Sequence, residues 1–296
     1  MALTLLAILL VIAAAHALPD MRRLRDFSWL RAWAERWPGA HDGAAPGAWP
    51  LALLPLLVVL ACLLLQQALD GVLFGLPAFA FAVIVLFYAW GPRDLDGDIE
   101  TVLKAPDGER RDAAAQSLRA DPAREHLPLE AAPLVEAAFA SALSRWFGVL
   151  FWFLFLGAAG ALGYRVVQLL ARHAALGANL DPAQRGPLER TARILDWAPA
   201  HLMALTLALV SEFDAVMRTW RGWHAAHGKG YFTLDLGFLG ALARAGIDAD
   251  VVAGDGYAAD VSNPLLELAD ARTVLRRILA VWLALIALVA VSGLAH

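Results

Sequence analysis

Charge is scarce in this chain. Asp, Glu, Lys and Arg together make up 18% of its 296 residues, where a soluble domain carries about 25%. Apolar residues fill the gap at 60%, against about 45–50% in soluble domains. Mean hydropathy is +0.58. This excess of apolar side chains is that of an integral membrane protein. A basic excess is also missing, since the net charge is −4 and the isoelectric point is near 6.0. Nucleic-acid binding, which draws on basic domains, is excluded on that ground. A single cysteine, Cys62, lies inside an apolar block. It rules out an intrachain disulfide and a multi-thiolate zinc site, and is expected to pack as a small hydrophobe. No Lys or Arg precedes the apolar run at residues 1–18. A cleaved secretory signal would need that positive start, so the run is read as a retained membrane helix. The chain also lacks a nucleophile elbow, a paired catalytic carboxylate signature, a zinc-protease helix and any repeat array. It gives no support to a hydrolase, and it calls for no cofactor and no metal.

What is present is a series of apolar runs. A membrane helix needs about 20 predominantly apolar residues. Residues 49–65, 71–90, 146–164 and 278–295 meet or approach that length, while 1–18 is short and 197–211 is marginal. The fold class is therefore all-α, a polytopic membrane protein with about four to six segments. It forms one domain over 1–296, with helical loops at 91–145 and 212–272.

Orientation follows the arginines, which favour the cytoplasmic side. Arg22, Arg23, Arg25, Arg31 and Arg36 place the 19–50 loop inside, and the uncharged-to-acidic connection 66–70 lies outside. Beyond that the rule divides. Arg172, Arg185, Arg190 and Arg193 follow the fourth segment, and Arg272, Arg276 and Arg277 precede the last. Both groups can be cytoplasmic if the fourth segment turns back at its glycines, Gly157, Gly160 and Gly163. In the other reading, segments four and five both cross and leave an external loop with four arginines. Irregular backbone at membrane depth is tolerated only where protein or a water-filled cavity covers it.

Several polar groups read as structural. Asp94, Asp96, Asp98 and Glu100 alternate, but Ile99 and Pro106 stand where a calcium loop needs glycine and glutamate. A solvated, dipole-favoured helix start is expected instead. His224 and His227 share a helix face without a third ligand nearby, and are expected on a polar surface. Gly228, Lys229 and Gly230 lack the rest of a phosphate loop. Helices are expected over 94–104, 109–120, 134–142, 214–227 and 234–245, with a turn at Pro106-Asp107-Gly108 and Gly246 as a C-cap. Arg165, Asp196 and His201 differ, because each lies at or inside the end of a membrane segment. Ionisable groups there are functional candidates, while snorkelling at the interface, with Trp197 as aromatic anchor, is the plain alternative. A salt-bridged Arg165–Asp196 pair is the sharper one.

The same residues carry a resemblance. The segment LFWFLFLGAAGALGYRVVQLL at 150–170 is similar to the glycine-rich turn and Tyr-Arg or Tyr-Lys of the CobD/CbiB cobinamide-phosphate synthase superfamily. ILDWAPAHL at 194–202 resembles its Asn-Tyr-Ile-Pro-Ala-Arg-Leu motif. LDGVLFGLP at 69–77, with LDWAP at 195–199, is closer to the AmpE type within that superfamily, inner-membrane partners of an AmpD amidase in β-lactamase induction. The resemblance implies a bacterial inner-membrane regulator linked to cell-wall recycling. It implies a cytoplasm-facing pocket of Glu136, Arg145, Tyr164, Arg165, Gln168, Asp196, Trp197 and His201, suited to an anionic ligand. The lipid bilayer, an AmpD-type amidase and an anionic wall fragment are the partners it implies. Two other activities follow from the same resemblance or architecture: a CbiB-like amide ligase, and a muropeptide carrier. For the ligase, the Asn and Asp positions of the superfamily are occupied here by Ala140, Ser141 and Ser144, with Glu136 kept upstream.

Overall fold

The computed structural model describes residues 2–17, 25–35, 49–90, 93–120, 126–172, 182–227, 230, 232–254, 256 and 263–292. Among these, regular structure is entirely helical. The helices are α1 (Ala2–Ala17), α2 (Ser28–Glu35), α3 (Trp49–Leu69), α4 (Leu76–Ala89), α5 (Leu95–Lys104), α6 (Gly108–Ala115), α7 (Ala131–Ala142), α8 (Gly148–Arg172), α9 (Pro182–Val210), α10 (Phe213–His227), α11 (Gly237–Ala253) and α12 (Pro264–Ser292). Four stretches are long and apolar enough to cross a membrane: Val72–Ala89, Ala131–Arg172, Arg185–Val210 and Pro264–Ser292. Leu3–Ala15 and Leu53–Leu69 are shorter apolar helices. The fold is thus the all-α polytopic architecture that the apolar runs foretold.

The chain gathers into two compact units. The first comprises Met1–Arg93, Gly148–Leu195 and Ile286–His296, and the second Asp94–Phe147 and Asp196–Leu285.

In the first unit α3 and α4 pack on α8, and α1 packs on α4. α8 is not a straight rod. Gly157 has φ 64° and ψ −150°, a region essentially closed to residues with a Cβ. Beyond it the chain doubles back. A Cβ on Gly160 would lie 2.3 Å from the Trp152 carbonyl oxygen, and one on Gly148 would lie 2.1 Å from the Tyr164 hydroxyl. In a continuous helix residues 148 and 164 would stand about 24 Å apart. The returning arm then runs antiparallel to α3. Gly157 faces the Gln66 side chain, Gly163 faces Val59, and Leu170 shares a core with Leu54, Leu30 and Val166. Cys62 packs with Val85, Ala158 and Ala159, as a small hydrophobe should. The straight crossing of the fourth segment is therefore corrected in favour of the turned-back reading. Only glycine reaches the Gly157 conformation, Gly148 and Gly160 let the two arms approach, and Gly163 lets the returning arm approach α3.

Gly71 (φ 76°) and Gly75 (φ 79°) bracket the α3–α4 connection, where Leu73 (φ 44°) and Phe74 (φ 58°) are also left-handed. Each non-glycine residue so placed costs roughly 1–2 kcal/mol.

The second unit joins α5, α6, α7, α10, α11 and most of α12, with α11 packed on α7 and α10. Its helix starts follow capping chemistry. Asp94 accepts from the Gly97 amide and Asp107 from the Arg110 amide, each satisfying an orphan donor. Residues Leu143–Phe147 form a π-helical turn. Two local expectations fail. Gly246 is buried inside α11, against Ser211 and Val216, and the helix runs on until Gly254 ends it in the left-handed region. The expected short segment at 197–211 is the second half of a helix that begins at Pro182.

Candidate functional site

The eight residues singled out in the sequence divide between the units. Tyr164, Arg165 and Gln168 belong to the first, and Glu136, Arg145, Asp196, Trp197 and His201 to the second.

On the returning arm of α8, Tyr164, Arg165 and Gln168 are all buried, at 2%, 5% and 4% exposure. The Tyr164 ring fills the space left by Gly148. Arg165 donates from Nε to the Ala89 carbonyl at 2.6 Å and from a terminal nitrogen to the Trp90 carbonyl at 3.1 Å. Those carbonyls end α4, where the helix dipole concentrates negative potential and a guanidinium is favoured. A second guanidinium attends the same helix end: Arg25 is 1% exposed and stands 4.0 Å above the Phe87 ring, a cation–π contact. Tyr88 accepts from the Trp29 indole at 2.7 Å and donates to the Asp26 carbonyl.

α9 meets a problem set by Pro199. Proline has no N–H, so the carbonyl four residues earlier, Leu195, loses its helical donor. Trp152 supplies one, its indole N–H bonding to the Leu195 carbonyl at 3.1 Å. This is the kind of side-chain rescue that proline in an apolar helix requires.

In the second unit Arg145 projects from the π-helical turn. It donates to Asp98 at 2.7 Å and to the Ser117 carbonyl at 2.6 Å. Glu136 pairs with Arg244 at 2.9 Å, both about half-exposed. Asp196 is fully buried. The Trp197 and His201 rings meet at 4.3 Å, tilted by 35°, and His201 Nδ1 donates to the Trp197 carbonyl at 2.7 Å. Phe232 stacks on Trp197 at 5.9 Å. His201 also approaches Phe238 at 4.9 Å, which in turn stacks on Trp220.

Two readings need correction. The acidic start of α5 is not solvated: Asp94, Asp96 and Asp98 are 5–7% exposed. Asp96 is held by both α12 arginines. Arg272 bonds it at 2.7 and 2.6 Å, and Arg276 at 2.9 and 2.7 Å. Each is a bidentate guanidinium–carboxylate pair. Burial alone would raise the Asp96 pKa, but the two guanidiniums outweigh it and hold the carboxyl at about 2. The second correction is His224, which is 5% exposed. It donates from Nδ1 to the Trp220 carbonyl and lies 5.6 Å from Phe238. His224 therefore belongs to the aromatic core of this unit rather than to a polar surface. Lys229 lies outside the described residues.

The sequence did hold a signal for the Asp96 network. Arg272 and Arg276 stand four apart on one helix face, so both guanidiniums can reach a single carboxylate. The alternation of the aspartates drew attention to metal, not to arginine. Among the described residues no three His, Cys, Asp or Glu side chains gather where they could hold a metal ion. Comparison with protein families, curated proteins and solved structures yields no match.

Proposed function

We propose that this chain is an integral membrane regulator of the AmpE type in the bacterial inner membrane. In this reading it couples cell-wall recycling to β-lactamase induction by binding an anionic wall fragment from the cytoplasmic side. The observation that carries it is Arg165, a guanidinium buried on an apolar helix and oriented by two main-chain carbonyls. Ionisable groups at such positions are expensive to bury and mark functional sites by default. The oriented fork of arginine suits carboxylate and phosphate ligands. The ordered resemblance at 69–77, 150–170 and 194–202 names the process, and the described helices fit a membrane location. Arg145 supports a binding role less directly, because Asp98 already engages it.

The test is native mass spectrometry of protein purified from its own membrane. A retained anionic small molecule in the wild type, lost in Arg165→Lys with the fold intact, supports the proposal. Clean apo spectra for both sink it. ATP hydrolysis stimulated by a corrinoid-like acid would favour the ligase instead.

A further inference from the structure

The turn between α3 and α4 puts two penalties in one place. Leu73 and Phe74 adopt left-handed backbone that favours glycine. Their side chains are also fully offered to the surroundings: Phe74 is 101% exposed and Leu73 70%, with Val72 and Leu76 also exposed. In water the apolar exposure would add an uncompensated cost to the strain, whereas among acyl chains the exposure costs nothing. We propose that this turn is a wedge seated among lipid acyl chains, not the aqueous end of a helical hairpin.

Three observations identify lipid as the occupant. First, the patch continues the outward apolar face of α3, where Leu56, Leu57, Leu60, Leu64 and Leu65 are exposed. Second, between Asp70 and Arg93 the chain carries no charged side chain, so nothing there would select a polar protein partner. Third, α4 is 14 residues long, rising about 21 Å, and falls short of the roughly 30 Å hydrocarbon core. If the turn itself lies in lipid, the apolar length is made up from Val72 onward. Only the Gln66, Gln67 and Asp70 side chains then mark the polar boundary. The left-handed run turns the chain within a few residues and leaves Leu73 and Phe74 directed away from the helices.

The experiment uses the full chain in lipid nanodiscs. In a Cys62→Ala background, Phe74→Cys carries a nitroxide label, with Leu64→Cys as the lipid-facing reference on α3. Collision with oxygen, which partitions into lipid, is compared with collision with a water-soluble nickel chelate. The wedge is supported if the oxygen-to-nickel ratio at 74 equals or exceeds that at 64. A nickel-dominated signal means an aqueous loop and overturns it. Low accessibility to both reagents means cover by protein, a second copy of this chain included, and overturns it equally. Val72→Cys gives the same three outcomes if Phe74→Cys fails to fold.

Discussion

Two guanidiniums share the Asp96 carboxylate, and this gives the second unit a stability with a definite pH dependence. The folded pKa of about 2 lies below the ordinary aspartate value of 3.8. A depressed carboxylate stabilises the fold fully above its unfolded pKa, and that contribution is lost as pH falls through the folded one. The shift corresponds to at most about 2 kcal/mol, reduced by screening because the Arg276 side chain is half-exposed. Thermal unfolding followed by circular dichroism should therefore weaken between about pH 4 and pH 2. Asp96→Asn should flatten that slope and lower stability at neutral pH by about 3 kcal/mol, since two buried or half-buried cations lose their partner. An unchanged slope would show that Asp96 is not the group concerned. Arg165 makes a separate prediction. Arg165→Met removes the donors that cover the α4 carbonyls and should cost about 1–3 kcal/mol, read as a drop in unfolding temperature in detergent. At this scale the sequence was half legible. It marked Arg165 as a buried charge, but the acidic start of α5 read as solvated because the partners of Asp96 lie 176 and 180 residues away.

Elements were legible wherever a long apolar run decided them. α1, α3 and the last half of α12 follow from hydropathy alone, and α5 and α6 from helix-compatible spacing on either side of the Pro106-Asp107-Gly108 turn. What hydropathy could not see was direction. Gly157, Gly160 and Gly163 look alike in sequence, yet only Gly157 has positive φ, while the other two are needed for close approach. Gly157→Ala should destabilise the protein by about 1–3 kcal/mol. Gly148→Ala should be worse alone than combined with Tyr164→Leu, because its Cβ meets the tyrosine ring. A double-mutant cycle by chemical denaturation measures that coupling, and zero coupling would mean that the two arms do not touch. α9 was misread for a related reason. Pro199 suggests a helix start, but the Trp152 indole satisfies the carbonyl that proline strands, and the helix continues. Trp152→Phe should lose about 1–3 kcal/mol by leaving that carbonyl unpaired.

For the whole molecule the decisive feature is the return of α8 along α3. α3 follows the arginine-rich 19–50 loop and ends at the 66–70 connection, which the positive-inside rule would put on opposite sides. The returning arm starts beside Gln66 and finishes beside Leu54. If that assignment holds, the arm returns Arg172 toward the side of the 19–50 loop. The most direct measurement is a matched pair of reporter fusions after Ala178, one fluorescent only in the cytoplasm and one enzymatically active only outside. The turned-back helix predicts fluorescence and no phosphatase activity at that position. Phosphatase activity there, with a dark cytoplasmic reporter, would contradict it.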